Sequence, residues 1–138
     1  MLRSKIITLL SNKNIAFQQD AQNNSALTTL IIDAIQDNKG KEIALFDMRE
    51  LEEASSEFFI LCNGNSKTQI LGILRNIERR VYEEFGIRPN HSEGQEMNWM
   101  LLDYFSVVIH IFSGEKRAFY NLDDLWSDAK VTKYAPLD

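Results

Sequence analysis

The 138-residue chain has a single cysteine, two prolines, six glycines and two histidines. The lone Cys62 excludes an internal disulfide and suits a reducing compartment. Neither histidine lies near Cys62 at metal-ligand spacing, so no metal site is expected. No apolar run approaches the roughly 20 residues needed to cross a bilayer, so an integral membrane protein is not expected. Cations are also scarce: 15 Lys and Arg stand against 20 Asp and Glu, a formal charge of −5. A net-acidic chain is poorly suited to wrapping nucleic acid, whose phosphates require Lys and Arg to displace counterions. What remains is ordinary for a globular protein, with 44% hydrophobic and 25% charged residues, which excludes wholesale disorder. The length suits one domain with one core.

The start of the chain differs from the rest. Arg3, Lys5 and Lys13 face only Asp20 before a short polar tract through Gln22, Asn23, Asn24 and Ser25. Ile6 to Leu10 is too short for a secretory core and no small-residue cleavage site follows. A basic, acid-poor start also fits an organellar presequence, but a mobile N-terminal extension over 1–26 is the simpler expectation. A single domain over 27–133 and a short tail over 134–138 follow.

Within that domain, Leu27, Leu30, Ile31, Ala34 and Ile35 recur at helical spacing, and Asn38-Lys39-Gly40 closes the helix. Ile43 to Phe46 predicts a short strand ending at Asp47. Phe58 to Cys62 is apolar on both faces, which predicts a central strand in a sheet covered on both sides. Ser66 is a natural N-cap for a helix carrying Ile70, Leu74, Ile77, Val81 and Phe85, which Gly86 ends. A polar loop, His91 to Glu96, leads to strands Trp99–Tyr104 and Val107–Phe112, joined by a tight turn at Phe105-Ser106. Alternation places Trp99, Leu101 and Asp103 on one face and Met100, Leu102 and Tyr104 on the other. Phe119, Leu122, Leu125 and Trp126 should cover the sheet as a helix or irregular turn. The fold class is therefore α/β (α+β), a single domain with a mixed sheet flanked by helices.

Catalytic signals are thin. Gly64-Asn65-Ser66 opens a helix, a geometry that exposes amides to phosphate. It lacks the second glycine of a dinucleotide fingerprint and the Gly-Lys-Ser of a phosphate-binding loop. Metal-assisted phosphoryl or nucleotidyl transfer needs grouped carboxylates. Only Asp47 and Asp103 end strands, and no Asp-x-Asp occurs. His110 shares a face with Val108 and Phe112, which predicts a hydrogen-bonded interior histidine, and Cys62 should behave as a small hydrophobe. More informative are Trp99, Tyr104, Phe105, Phe119, Tyr120 and Trp126 beside carboxylates, the anatomy of a protein interface.

At these residues the chain resembles the Iojap family, also called ribosomal silencing factor RsfS. The resemblance covers Leu27 to about Lys133. It is carried by Phe58-Phe59-Ile60 leading into Gly64-Asn65-Ser66 with Gln69, and by Trp99-Met100-Leu101-Leu102-Asp103-Tyr104. Val107 to Phe112, Arg117, Phe119-Tyr120-Asn121-Leu122 and Leu125-Trp126 complete it. It implies nucleotidyltransferase-like topology without catalysis or cofactor. It also implies a cytoplasmic factor that binds the fourteenth protein of the large ribosomal subunit, blocks joining of the small subunit and represses translation when nutrients are scarce. A homodimer when free, little nucleic-acid contact and no membrane are further expectations. Partner-binding roles carry over to Trp99, Leu101, Leu102, Asp103 and Tyr104, then to Glu93, Tyr120 and Asn121. The alternative is a nucleotidyltransferase-like nucleotide-binding protein or enzyme using Gly64-Asn65-Ser66.

Two positions depart from the family pattern. Glu57 stands where Asp or a similar short residue precedes Phe58. The turn after Asp103-Tyr104 is Phe105-Ser106, where Gly or Ser followed by Asp is usual. Charge adds a location. Between Glu93 and Asp128 seven acidic residues face two basic ones, −5 in that stretch, and residues 27–138 carry 12 basic against 19 acidic, −7. An acidic docking face for a basic protein is therefore expected there.

Overall fold

A computed structural model describes residues 25–51, 56–93 and 98–137. The expected extension lies, up to residue 24, outside the described residues. So does the part of the polar loop over 94–97, and the side chain of Glu93.

The first helix, α1, covers 25–37, so helix already includes two residues assigned to the extension. Leu27, Ile31, Ala34 and Ile35 are buried along one stripe, as their spacing requires. The left-handed residue that ends it is Lys39 (φ 62°), not a glycine, and the Gly40 amide closes onto the Ile35 carbonyl at 2.9 Å.

Strand β1 (Lys41–Asp47) pairs antiparallel with β2 (Phe58–Gly64). Helix α2 (Lys67–Phe85) follows, capped by Ser66 Oγ accepting from the Gln69 amide and closed by Gly86 at φ 70°. Both caps were legible because each end has a dedicated residue type. Ile70, Ile73, Leu74, Ile77 and Val81 are buried against the sheet, a gross transfer contribution of roughly 10 kcal/mol. Helix α1 runs antiparallel beside it. Arg80 reaches Asp33 at 2.8 Å and Asp37 at 2.7 Å, while Asn76 Nδ2 donates to the Ala34 carbonyl at 3.0 Å.

Strand β3 (Asn90–Glu93) and β4 (Trp99–Asp103) pair antiparallel, and β4 pairs antiparallel with β5 (Val107–Ser113). Short helices α3 (Gly114–Tyr120) and α4 (Leu122–Leu125) then lead to β6 (Lys130–Tyr134), on the far side of β1. The sheet order is β3-β4-β5-β2-β1-β6, with β2 and β5 parallel. The apolar β2 is thus central, as its two-faced hydrophobicity predicts. Two elements correct the sequence expectation: Asn90–Glu93 is an edge strand rather than loop, and Lys130–Tyr134 is a second, unforeseen edge strand.

Each face of the sheet has its own core. One lies under α1 and α2 and takes Ile43, Phe58, Ile60, Cys62, Met100, Leu102, Tyr104, Ile109 and Ile111. The other takes Ala44, Phe46, Phe59, Leu61, Val108 and Phe112, with Trp99, Leu101, Leu122 and Trp126 packed on it. Among the described residues, the helices over this second face are the short α3 and α4, and it is partly open.

Candidate functional site

Alternation builds the open face. From β4 it receives Trp99, Leu101 and Asp103, from β5 Val108, His110 and Phe112, and from β2 Phe59. Cross-strand register sets Trp99 opposite Phe112 and Leu101 opposite His110. The Trp99, His110 and Phe112 rings lie parallel within 5°, with centroids 5.8–5.9 Å apart. Trp126, brought back by α4, stacks on Phe59 at 4.1 Å, and Tyr120 leans on Trp99 at 5.4 Å. Offset aromatic pairs at such separations are favourable beyond their burial. Between them lies a cleft of about 500 Å³, walled at one end by Phe105 and Asp103 and at the other by Tyr120 and Leu122.

The polar interactions in the cleft are few. Trp99 Nε1–H donates to His110 Nδ1 at 3.1 Å. With Nδ1 accepting, the neutral imidazole carries its proton on Nε2. Burial lowers the His110 pKa to about 4, so the ring is uncharged near neutrality. The interior, hydrogen-bonded histidine expected from its strand position is what the structure contains.

Asp103 Oδ1 accepts from the Phe105 amide at 2.7 Å. That bond caps a two-residue hairpin turn in which Tyr104 N–H donates to the Val107 carbonyl at 2.9 Å. The first turn residue needs positive φ, normally supplied by glycine. Here Phe105 adopts φ 69° and is 78% exposed, standing at the mouth of the cleft.

The structure divides the residues assigned a partner-binding role. Trp99, Leu101 and Asp103 line the cleft, and Tyr120 forms its wall. Leu102 and Tyr104 do not: Leu102 is fully buried and Tyr104 is 6% exposed, both in the core beneath α2. Their side chains therefore leave the set of surface contacts, because a strand presents only alternate residues to either face. Burial, with Glu78 adding to it, raises the Tyr104 phenol above its ordinary range. Asn121 is exposed, holds a left-handed backbone (φ 50°) between α3 and α4, and donates from Nδ2 to Asp124 at 2.8 Å. It lies outside the cleft. Glu93 takes part in the sheet through its backbone, opposite Met100. The cleft also enlists Phe59, Val108, His110, Phe112, Leu122 and Trp126, which belong to the motifs carrying the resemblance but were given no partner-binding role.

The acidic stretch is less available than its count implies. Asp123 is held by Arg117, whose Nε and Nη2 reach its two oxygens at 3.1 and 2.8 Å, and the guanidinium keeps that carboxyl below the usual range. Among the described residues of the cleft lining, Asp103 is the one carboxylate.

The Gly64-Asn65-Ser66 loop is tied to the first turn of α2 and to the end of α1. Ser66 Oγ takes the Gln69 amide, Gln69 Oε1 takes the Asn65 amide, and Gln69 Nε2 donates to the Asn38 and Lys39 carbonyls. Gly64 has a packing reason, since a Cβ there would lie 2.8 Å from Ile70 Cγ1. Cys62 is fully buried, and loss of solvent pushes its thiol up to about 12. Among the described residues no group of three or more His, Cys, Asp or Glu could hold a metal, and no helix is long and apolar enough to cross a membrane.

A mixed six-stranded sheet with two helices on one face and an aromatic cleft on the other defines a single-domain α/β protein. Residues 20–138 match the family described as ribosomal silencing factor during starvation, RsfS. The chain is 35% identical over 111 residues to ribosomal silencing factor RsfS of Halalkalibacterium halodurans, covering 80% of this chain and 93% of that protein. It is 33% identical over 110 residues to the Bacillus subtilis factor of the same name, covering 79% and 92%. A crystal structure of a Bacillus halodurans protein superposes with a TM-score of 0.66 at 29% identity, covering 80% of this chain and 99% of that one. The chain belongs to the RsfS family. The match to this family includes the tail beyond Lys133 and begins within the expected extension.

Proposed function

We propose that this protein is a non-enzymatic ribosomal silencing factor. It docks through the Trp99 cleft onto the fourteenth protein of the large ribosomal subunit, blocks joining of the small subunit and lowers translation when nutrients are scarce. The observation that carries the proposal is the cleft itself: a half-buried tryptophan on a rigid ladder, with exposed Phe105 and Tyr120 at its two ends. Aromatic anchors held in place by a sheet lose little entropy on docking and are the residues that dominate interface energetics. Family membership and the relatives' names support the same direction. The factor acts in the cytoplasm, makes little direct contact with ribosomal RNA, and pairs with itself when free.

Trp99→Ala removes the central anchor and should weaken capture of isolated large subunits by at least about 2 kcal/mol, roughly 30-fold. Asp103→Lys should weaken capture by charge reversal. Circular dichroism and urea unfolding establish that each variant is folded. Co-sedimentation with separated subunits, paired with a subunit-joining assay, gives the readout. If both folded variants bind and block joining like wild type, the cleft is not the docking surface.

A further inference from the structure

Arg117 belongs to the motifs that identify the family, yet it takes no part in the aromatic cleft. It projects from α3 into a second cleft of about 450 Å³, between the α3–α4 segment and the β1–β6 edge. Three cations line it, Lys41, Arg117 and Lys133, against the carboxylates Glu42 and Asp123. In a chain of net charge −5 such a gathering runs against the overall composition.

The cations have different partners. Arg117 is half of a bidentate pair with Asp123, and its Nη1 donates to the Glu42 carbonyl and to Asn63 Oδ1. Asp123 is therefore already neutralised. Lys41 and Lys133 form no ion pair at bonding distance among the described residues. Lys133 stands opposite Ala44 in the β1–β6 ladder, so alternation sends it to the same face as the cleft.

Backbone geometry supports a built site. Between Lys41 and Ala44 the ladder to β2 is irregular, and Glu42 sits there at φ 52°. Bulges re-aim side chains, and left-handed non-glycine residues concentrate where function needs them. The position in the fold points the same way. Lys41 and Tyr134 lie at the end of the sheet where the parallel strands β2 and β5 finish, at Gly64 and Ser113. Open α/β sheets bind ligands beyond the carboxyl ends of such strands.

We propose that this second cleft binds a small phosphorylated ligand, with the phosphate chain of a nucleotide lying between Lys41 and Lys133. Arg117 is the positioning residue, holding β1, β2 and the α3–α4 segment together as one wall. The volume falls within the range of small-molecule sites, roughly 300–1,000 Å³. A concave pocket of this size fits a free nucleotide better than the backbone of a folded RNA, which calls for a longer basic track.

Isothermal titration calorimetry on the full chain tests this with ATP, with inorganic pyrophosphate and with a short oligoribonucleotide. The expected result is saturable single-site binding of ATP and pyrophosphate with Kd below about 1 mM. Lys41→Glu and Lys133→Glu should each weaken it at least about tenfold by reversing a charge that faces the ligand. Lys130→Glu is the control, on the same strand but paired with Glu50 outside the cleft, and should bind like wild type. The proposal is overturned if neither ATP nor pyrophosphate gives saturable heat, if Lys130→Glu weakens binding as much as the cleft variants, or if only the oligoribonucleotide binds. None of these readouts involves the ribosome, so they stand apart from any failure of the docking proposal.

Discussion

Acidification should destabilise this protein through one buried ring. His110 is 6% exposed, accepts the Trp99 indole N–H, and has its pKa lowered from 6.5 to about 4 by burial. The unfolded chain binds this proton near pH 6.5, whereas the folded protein does not bind it until about pH 4. Stability is therefore fully present above pH 6.5 and falls as the pH drops from there toward 4. The full shift corresponds to about 3 kcal/mol, of which about 2 kcal/mol should be lost between pH 7 and 4.5. Urea unfolding at several pH values measures it, with His110→Gln as the reference because Gln can still accept from Trp99 but does not titrate. Asp47 and Asp123, whose carboxyls are lowered chiefly by hydrogen bonds from Arg49 and Arg117, contribute to both proteins and drop out of the difference. Wild type should lose stability relative to the variant across this window. Parallel curves, within about 0.5 kcal/mol, would show that His110 is solvated or paired and would refute the account of the cleft floor.

Phe105→Gly should stabilise the fold by about 1 kcal/mol in urea, since it relieves a left-handed phenylalanine in a turn that favours glycine. Loss of large-subunit capture in the same variant would identify the exposed ring as a contact. Tyr104→Phe removes a buried hydroxyl that has no hydrogen-bond partner among the described residues, so stability should hold or rise by about 1 kcal/mol with capture unchanged. A drop in capture would return Tyr104 to the docking set. Arg117→Leu leaves Asp123, Asn63 and the Glu42 carbonyl without their shared donor and should cost about 2 kcal/mol by thermal or urea unfolding, discounted for the partial exposure of Asp123.

The elements legible in the sequence are those whose burial imposes a pattern. Helix α2 shows its stripe and both caps, and β2 shows apolar residues on both faces because both are covered. The edge strands carry no such mark. Asn90–Glu93 and Lys130–Tyr134 are mostly polar, with Asn90, His91 and Lys130 to Lys133 exposed, and backbone pairing to β4 and β1 holds the two strands in place. Solvent on their outer sides leaves no apolar period to read, and lysine on an edge discourages further pairing. The site was half legible for a related reason. The string Trp99 to Tyr104 reads as one motif, but the pleat divides it, and only its alternate members reach the cleft. Trp126 and Phe59 become neighbours only because left-handed Asn121 redirects the chain between α3 and α4, which no local spacing encodes.

The same geometry changes what the acidic charge between Glu93 and Asp128 can contribute. Counted along the chain, seven carboxylates suggest a docking face held together by charge. In the fold, Asp123 is tied to Arg117, Asp124 accepts from Asn121, and Asp103 spends one oxygen on the hairpin turn. The cleft, which of these three only Asp103 lines, is mainly aromatic and aliphatic. Exposed charges at its margins act over roughly a Debye length, which accelerates encounter with a basic surface and is screened by salt. Retention depends on desolvated ring area, which salt does not screen. Association through this face should therefore slow as ionic strength rises while dissociation changes little. If the proposed docking holds, charge speeds approach and the Trp99 cleft sets how long the complex lasts.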